Sequence, residues 1–266
     1  MAIQSLKYVI NRFLLRRDTL TAPTPEYGLR LRVKTEDVVG RHLYKYGVHE
    51  PDASNYLLAN LALQPGDVVF DIGGNIGWFS LLLSKIANET PVDIFSFEPD
   101  PTNFGLLKEN ISLNNATSIT PIQAAVAQES GTMTLHLFGK SNRGRHSLLA
   151  IHEGDTIDIR TTTLDEFWQE RKLGERVPRF IKMDIEGFEL MALKGASAVL
   201  ARCPMVMLEF SPTYMRAAAL DPAELIDLMS GHGFRPNELR DGRLHPLEAG
   251  QLKTTEQHID IFWLRD

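Results

Sequence analysis

From residue 67 onward the chain alternates short apolar runs of strand length with longer segments of helix length, and that alternation leaves few folds open. Val68-Val69-Phe70 reads as a buried strand ending at Asp71, Gly73-Gly74-Asn75 as a turn, and residues 76–86 as a helix. Strands follow over 94–97 and 119–126, with a helix over 103–113 between them, and 132–138 alternates as a strand does. Residues 143–154 are polar and Gly-containing and read as a loop; 164–172 reads as a helix. Residues 180–183 and 205–210 are strands separated by a helix over 189–200. Asp221 as N-cap with Pro222 in the first turn opens a further helix, and 260–264 supplies a last strand. Strands alternating with helices need cover on both sheet faces. The expectation is α/β: a doubly wound, mostly parallel, seven-stranded sheet with helices on both faces and no internal repeat.

A chain of 266 residues is one large domain, or one with a modest extension, at roughly 100–200 residues per domain. A net charge of −6 gives no global basic surface, so no nucleic-acid partner is expected. The single cysteine, Cys203, excludes an internal disulfide framework and a Cys-rich zinc site, and reads as a buried thiol. Apolar runs such as Phe79 to Leu83 are far shorter than the ~18 residues a membrane span needs. With no signal-peptide pattern at the N-terminus, a reducing, cytoplasmic location is expected.

Residues 1–17 stand apart. Lys7, Arg12, Arg16 and Arg17 are basic and no acid precedes Asp18. Ile3, Leu6, Ile10, Phe13 and Leu14 recur at three- and four-residue steps, which predicts an amphipathic helix. Its apolar face packs on the protein's own core or, in the alternative, lies on a membrane surface. Pro23 and Pro25 mark Thr21 to Pro25 as a connector. This divides the chain into an N-terminal helix and connector over 1–35 and an α/β domain over 36–266.

Ligands of such sheets bind beyond the carboxyl ends of the strands. The first such end reads Asp71-Ile72-Gly73-Gly74-Asn75-Ile76-Gly77, with glycines that let a ligand approach the backbone. It lacks the G-x-G-x-x-G spacing of a dinucleotide site and any P-loop lysine. Glu98 ends the second strand, where a carboxylate can accept both hydroxyls of a ribose. A nucleoside cofactor with an amino-acid tail and no phosphate fits this pattern, and S-adenosylmethionine is such a molecule.

The segments 70–77, Phe97-Glu98-Pro99, Ile181-Lys182-Met183-Asp184-Ile185-Glu186-Gly187-Phe188-Glu189 and Leu193-Lys194-Gly195-Ala196 resemble the FkbM-family methyltransferases. So do Gly47 with Glu50, Asn142-x-Gly144 to Ser147-Leu148, and Thr163-Leu164-Asp165. The likeness spans roughly residues 38–210 and leaves 1–35 and 211–266 outside its marked region. It implies a Rossmann-like class I methyltransferase fold, S-adenosylmethionine as cofactor, and O-methylation of a hydroxyl, often of a sugar in a glycan or glycolipid, or of a secondary metabolite. By matching motifs it places Asp71, Gly73, Asn75 and Glu98 around the cofactor, joined by Glu50, Gly77 and Asp184, with Ala124 and Ala125 near the adenine. Gly74 stands where the family usually has Ala, a departure expected to widen the turn's backbone freedom.

Methyl transfer to a hydroxyl needs the acceptor aligned and its proton removed. Asp184 and Glu186 follow the fourth strand two residues apart, so an extended chain points both the same way. Glu209 closes the fifth strand and could converge on the same cleft. His146 is the neutral-range alternative base, and His49 beside Glu50 a weaker one. Lys182 reads either as a site residue or as the ion-pair partner of a strand-end acid. Glu189 and Asp165 read as helix starts, and His152 and His245 as surface residues. The clustered carboxylates could also hold a divalent cation, though no ligand set is specified and none is assigned. Competing functions are RNA or protein methylation, and a non-catalytic module that retains the nucleoside pocket.

Overall fold

The computed structural model describes residues 2–138, 146–149 and 154–265. The chain begins with helix α1 (Ala2–Val9), which continues into a π-helical stretch over Ile10–Leu14. A hairpin of β1 (Thr19–Thr24) and β2 (Leu29–Lys34) follows, then α2 (Val38–Tyr46) and α3 (Pro51–Asn60). Next come β3 (Val68–Ile72), α4 (Trp78–Ala87), β4 (Asp93–Phe97), α5 (Pro101–Leu113) and β5 (Ile119–Ile122). Three further strands, β6 (Ala125–Val126), β7 (Gly131–His136) and β8 (Thr156–Thr162), lead to α6 (Leu164–Glu170). Then come β9 (Pro178–Met183), α7 (Glu189–Lys194), α8 (Ser197–Leu200), β10 (Met205–Phe210), α9 (Pro212–Ala217) and α10 (Pro222–Gly231). The chain closes with β11 (Arg235–Arg240), β12 (Arg243–Pro246), α11 (Ala249–Leu252) and β13 (Ile259–Leu264).

The main sheet has eight strands in the order β12-β11-β13-β10-β9-β3-β4-β5, not the seven expected. Strands β10, β9, β3, β4 and β5 are parallel, while the neighbouring pairs β10–β13, β13–β11 and β11–β12 are antiparallel. The expected strand over 132–138 instead belongs to a separate three-stranded sheet, β6-β8-β7. The β11–β12 hairpin completes the count; its polar, partly exposed sequence, Arg235 to Pro246, carries little of the apolar signal that marks a central strand. The expected strand over 119–126 divides between the two sheets, and the helix over 189–200 breaks at Gly195 into α7 and α8.

Burial follows the period-two geometry of strands. Val68, Phe70 and Ile72 pack with Phe167, Leu190 and Ile226 on one face of the sheet. Val69, Phe180, Met207 and Phe262 pack on the other with α4 and the β1–β2 hairpin, through Leu82, Leu31 and Val33. Of the connector expected over 21–25, residues 21–24 are strand and only Pro25 lies in the turn. Pro23 is tolerated because β1 pairs on one side only. Most of the apolar face expected to dock residues 1–17 points outward: Leu6, Ile10, Phe13 and Leu14 are exposed, and Tyr8 makes the anchoring contact instead. The side chain of Ile3, together with Asn142, Gly144, His152 and most of the loop expected over 143–154, lies outside the described residues.

Candidate active site

The turn after β3 is held by its neighbours. Gly73 and Gly74 donate their N–H groups to Phe97 O at 3.0 and 2.8 Å. Asn75, at φ +50°, donates its N–H to Glu98 Oε2 at 2.8 Å, while Glu98 Oε1 accepts from Asp100 N at 2.9 Å. Burial pushes the Glu98 carboxyl up to about 8, against the opposing effect of these two N–H groups. Gly73 sits at φ +83°, where a Cβ would lie 1.9 Å from Asp184 O, so only glycine lets the β3 and β9 ends approach this closely.

A cleft of about 600 Å³ of atom-free space, part of it open to solvent, lies beyond these ends. Gly73, Asn75, Glu98, Ala124, Ala125, His146 and Asp184 line it, with Ile185 and Phe188. His146 Nδ1 accepts from Phe138 N at 2.9 Å and Nε2 stands 4.0 Å from Asp100 Oδ2, among the Glu98-side residues.

Three residues expected around the cofactor do not line this cleft. Asp71 is fully buried on the α4 face, where Oδ2 accepts from Ser80 Oγ, and Ser80 Oγ lies 2.7 Å from Ser96 Oγ. Burial raises its pKa, opposed by Lys182. Gly77, at φ +95°, precedes α4, where a Cβ would meet Leu107 Cδ1 at 2.8 Å. Glu50 caps α3 at φ +44° and lines a neighbouring hollow with Asp260. Gly74 does not widen backbone freedom, since its φ is ordinary. Its missing Cβ leaves room for Ser96 Oγ, which would otherwise be 2.2 Å away.

Lys182 is buried and its Nζ bonds Asp184 Oδ2 at 3.0 Å, lying 4.9 Å above the Phe79 ring. Burial works against its charge, but Asp184, Asp71 and Glu50 outweigh burial and raise its pKa. Burial likewise penalises the Asp184 carboxylate, and the Lys182 ammonium reverses that and holds its pKa low. Asp184 and Glu186 do converge, though not along a strand. Strand β9 stops at Met183 and Glu186 is left-handed at φ +56°, in a turn that the buried Glu189 closes by accepting from Ile185 N and Gly187 N. One oxygen each from Asp184, Glu186 and Glu209 lie within 4.8 Å of one another, a spacing a divalent cation could bridge. Asp165, expected at a helix start, lies in the first turn of α6 after the N-cap Thr163 and also accepts from Ala198 N and Val199 N at the start of α8.

Two residues at this edge went unread in the sequence. His258 Nε2 lies 2.6 Å from Glu209 Oε1, and its Nδ1 lies 2.9 Å from Ser211 Oγ. Asp260 pairs directly across from Glu209 in the β10–β13 register. The His258-Ile259-Asp260 alternation at the start of the last strand was the available signal, because residues two apart share a face. Burial and the charge of Asp184 push Glu209 up to about 7, opposed by His258, while the bond to Glu209 raises His258. Burial together with Glu50, Asp184 and Glu209 pushes Asp260 up to about 8. The edge thus joins the cleft lined by Glu98 and Asp184 to a cluster of carboxylates, with Glu209 pushed up to about 7.

The sequence model of the Methyltransferase FkbM domain matches residues 71–236. The chain is similar to the hexuronic acid methyltransferase AglP of Haloferax volcanii, 28% identical over 214 residues that cover 80% of this chain and 81% of that protein. It is also similar, 28% identical over 225 residues, to the 31-O-demethyl-FK506 methyltransferase FkbM of Streptomyces tacrolimicus, covering 73% of this chain and 81% of that one. Among solved structures, a methyltransferase FkbM from Methylobacillus flagellatus KT shares the fold at TM-score 0.50 and 18% identity, covering 83% of this chain and 49% of that one. This chain thus spans about half the length of that solved chain.

Proposed function

Because this chain belongs to the FkbM methyltransferase family, we propose that it transfers a methyl group from S-adenosylmethionine to a hydroxyl, that of a sugar in a glycan or glycolipid, or of a secondary metabolite. The observation that carries this reading is the single cleft in which Asn75-bonded Glu98 and Lys182-paired Asp184 share one wall system. The residues present suit the cofactor. Each Glu98 oxygen already bound to one N–H keeps a lone pair for a ribose hydroxyl. Ala124 and Ala125 leave width for a flat ring, and the Gly73 turn admits a chain against its backbone. When bound, S-adenosylmethionine supplies a methyl carbon already activated by a cationic sulfur.

The remaining work falls to the chain. Asp184, held ionised by Lys182, is a fixed hydrogen-bond acceptor that orients the acceptor hydroxyl. Glu209, poised at about 7, takes the hydroxyl proton as the oxygen–carbon bond forms and the carbon–sulfur bond breaks. The proton would then reside on the Glu209 carboxyl, and the cofactor, having given up its methyl group, would need no proton from the chain. Glu50, Asp184, Glu209 and Asp260 act on Lys182, and Glu186 lies beside Asp184 and Glu209, so this edge favours a neutral or amino-bearing sugar over one that carries its own carboxylate. The test is methyl transfer from labelled cofactor to a panel of neutral hexosides, amino sugars and uronates. Transfer to the first two supports the reading, transfer to uronates alone overturns the acceptor class, and turnover of none of them with turnover of RNA or protein overturns the function.

A further inference from the structure

We propose that the N-terminal helical segment is a docking surface for an anionic lipid bilayer, lying in the plane of the interface. This inference is independent of the acceptor. Helix α1 is fixed to the domain from one side only: Tyr8 is buried, its hydroxyl donates to Thr35 O, and Lys45 Nζ lies 5.2 Å from its ring. The other side is open. Leu6, Phe13 and Leu14 are 62%, 67% and 76% exposed. With Val9, Ile10 and Leu15 they make six of the ten exposed large apolar side chains among the described residues. Clustering of this kind marks an interaction surface, whereas single exposed apolar residues do not.

The charge beside this patch says what covers it. Arg12, Arg16, Arg17 and Lys34 line an open hollow of about 840 Å³ of atom-free space, part of it solvent, together with Phe13, and only Asp18 and Glu36 oppose them there. With Lys7, these three arginines make four basic residues in the first 17 of a chain whose net charge is −6. A second copy of the chain would bring like-charged helices together. A bilayer bearing anionic phospholipid offers phosphates to the arginines and acyl chains to Phe13, Leu14 and Ile10 at once. The helical run over residues 2–14, at about 1.5 Å per residue, is well short of a hydrocarbon core of roughly 30 Å. No helix among the described residues is long and apolar enough to cross a membrane.

Co-sedimentation of the full chain with vesicles of equal parts phosphatidylcholine and phosphatidylglycerol tests this. The intact protein sediments with these vesicles, stays in solution with phosphatidylcholine alone, and is released by salt. Reversing Arg12, Arg16 and Arg17 to Glu lowers partitioning by about a hundredfold or more, at an unchanged melting temperature. A second readout is the difference fluorescence of Phe13→Trp, which shifts to the blue on adding the anionic vesicles while the three buried native tryptophans stay silent. Sedimentation that ignores lipid charge, an unshifted tryptophan, or self-association abolished by Phe13→Ser with Leu14→Ser would each overturn the proposal.

Discussion

His258 and Glu209 meet at the open end of the β10–β13 pair, the imidazole Nε2 standing 2.6 Å from carboxylate Oε1. Each sets the other's protonation: the imidazole works to lower the carboxyl, and the carboxylate raises the imidazole. The base form of Glu209 is the ionised one, so kcat/KM should rise with pH through about 7. Glu209→Gln is expected to retain cofactor binding and lose about 10²-fold or more in turnover. His258→Ala removes an influence that lowers the Glu209 pKa, so the acid limb of the profile should move to higher pH. A limb that stays in place would assign the titration to another group.

Glu98→Ala removes the acceptor expected for the ribose diol and also frees the N–H groups of Asn75 and Asp100. Cofactor binding, measured by calorimetry on the folded variant, should weaken by about 1.5–3 kcal/mol. Unaltered affinity would remove Glu98 from the site.

Gly74→Ala places a Cβ 2.2 Å from Ser96 Oγ in a fully buried setting. The overpacking should destabilise the fold by about 1–3 kcal/mol in a denaturant titration. Adding Ser96→Ala removes the clashing oxygen, so the double variant should recover part of the loss. Simple additivity of the two changes would show that the clash is relieved elsewhere.

Glu189 is fully buried and its carboxyl is pushed from 4.5 up to about 8, first by burial and then by Glu209. Between those values the folded chain holds a proton that the unfolded chain has released, so its contribution to stability falls as pH rises. Glu189→Gln keeps an oxygen for Ile185 N and Gly187 N and carries no titrating proton. Its melting temperature should decline less steeply than the wild type's between about pH 5 and pH 8. Parallel declines would mean that Glu189 does not titrate there.

Much of the site was legible because its residues sit where strand ends must put them. Glu98 and Asp184 end strands flanking β3, so period and spacing placed both at one cleft. The Lys182–Asp184 pair was likewise one of the two readings of its motif. Convergence of Asp184 with Glu186 was foreseen on an extended-strand argument, while the chain achieves it with a left-handed turn that periodicity does not encode. His258 and Asp260 escaped notice because their partner Glu209 is some fifty residues earlier, and only the antiparallel register brings them together. The β1–β2 hairpin was hidden by Pro23, whose breaker signal holds for central strands and fails in a two-stranded ribbon, whereas Pro25 does mark the turn that follows β1.

Strand β13 lies inside the sheet, between β10 and β11, although it is formed after residue 236, where the family match stops. A fragment trimmed at that boundary would keep the glycine turn and Glu98, yet strip β10 of its neighbour along all six residues from Met205 to Phe210. The bared strand, Met-Val-Met-Leu-Glu-Phe, would be a long apolar edge with unpaired backbone groups, the kind that recruits strands from other molecules. Such a fragment would aggregate for want of a neighbour rather than for want of a core.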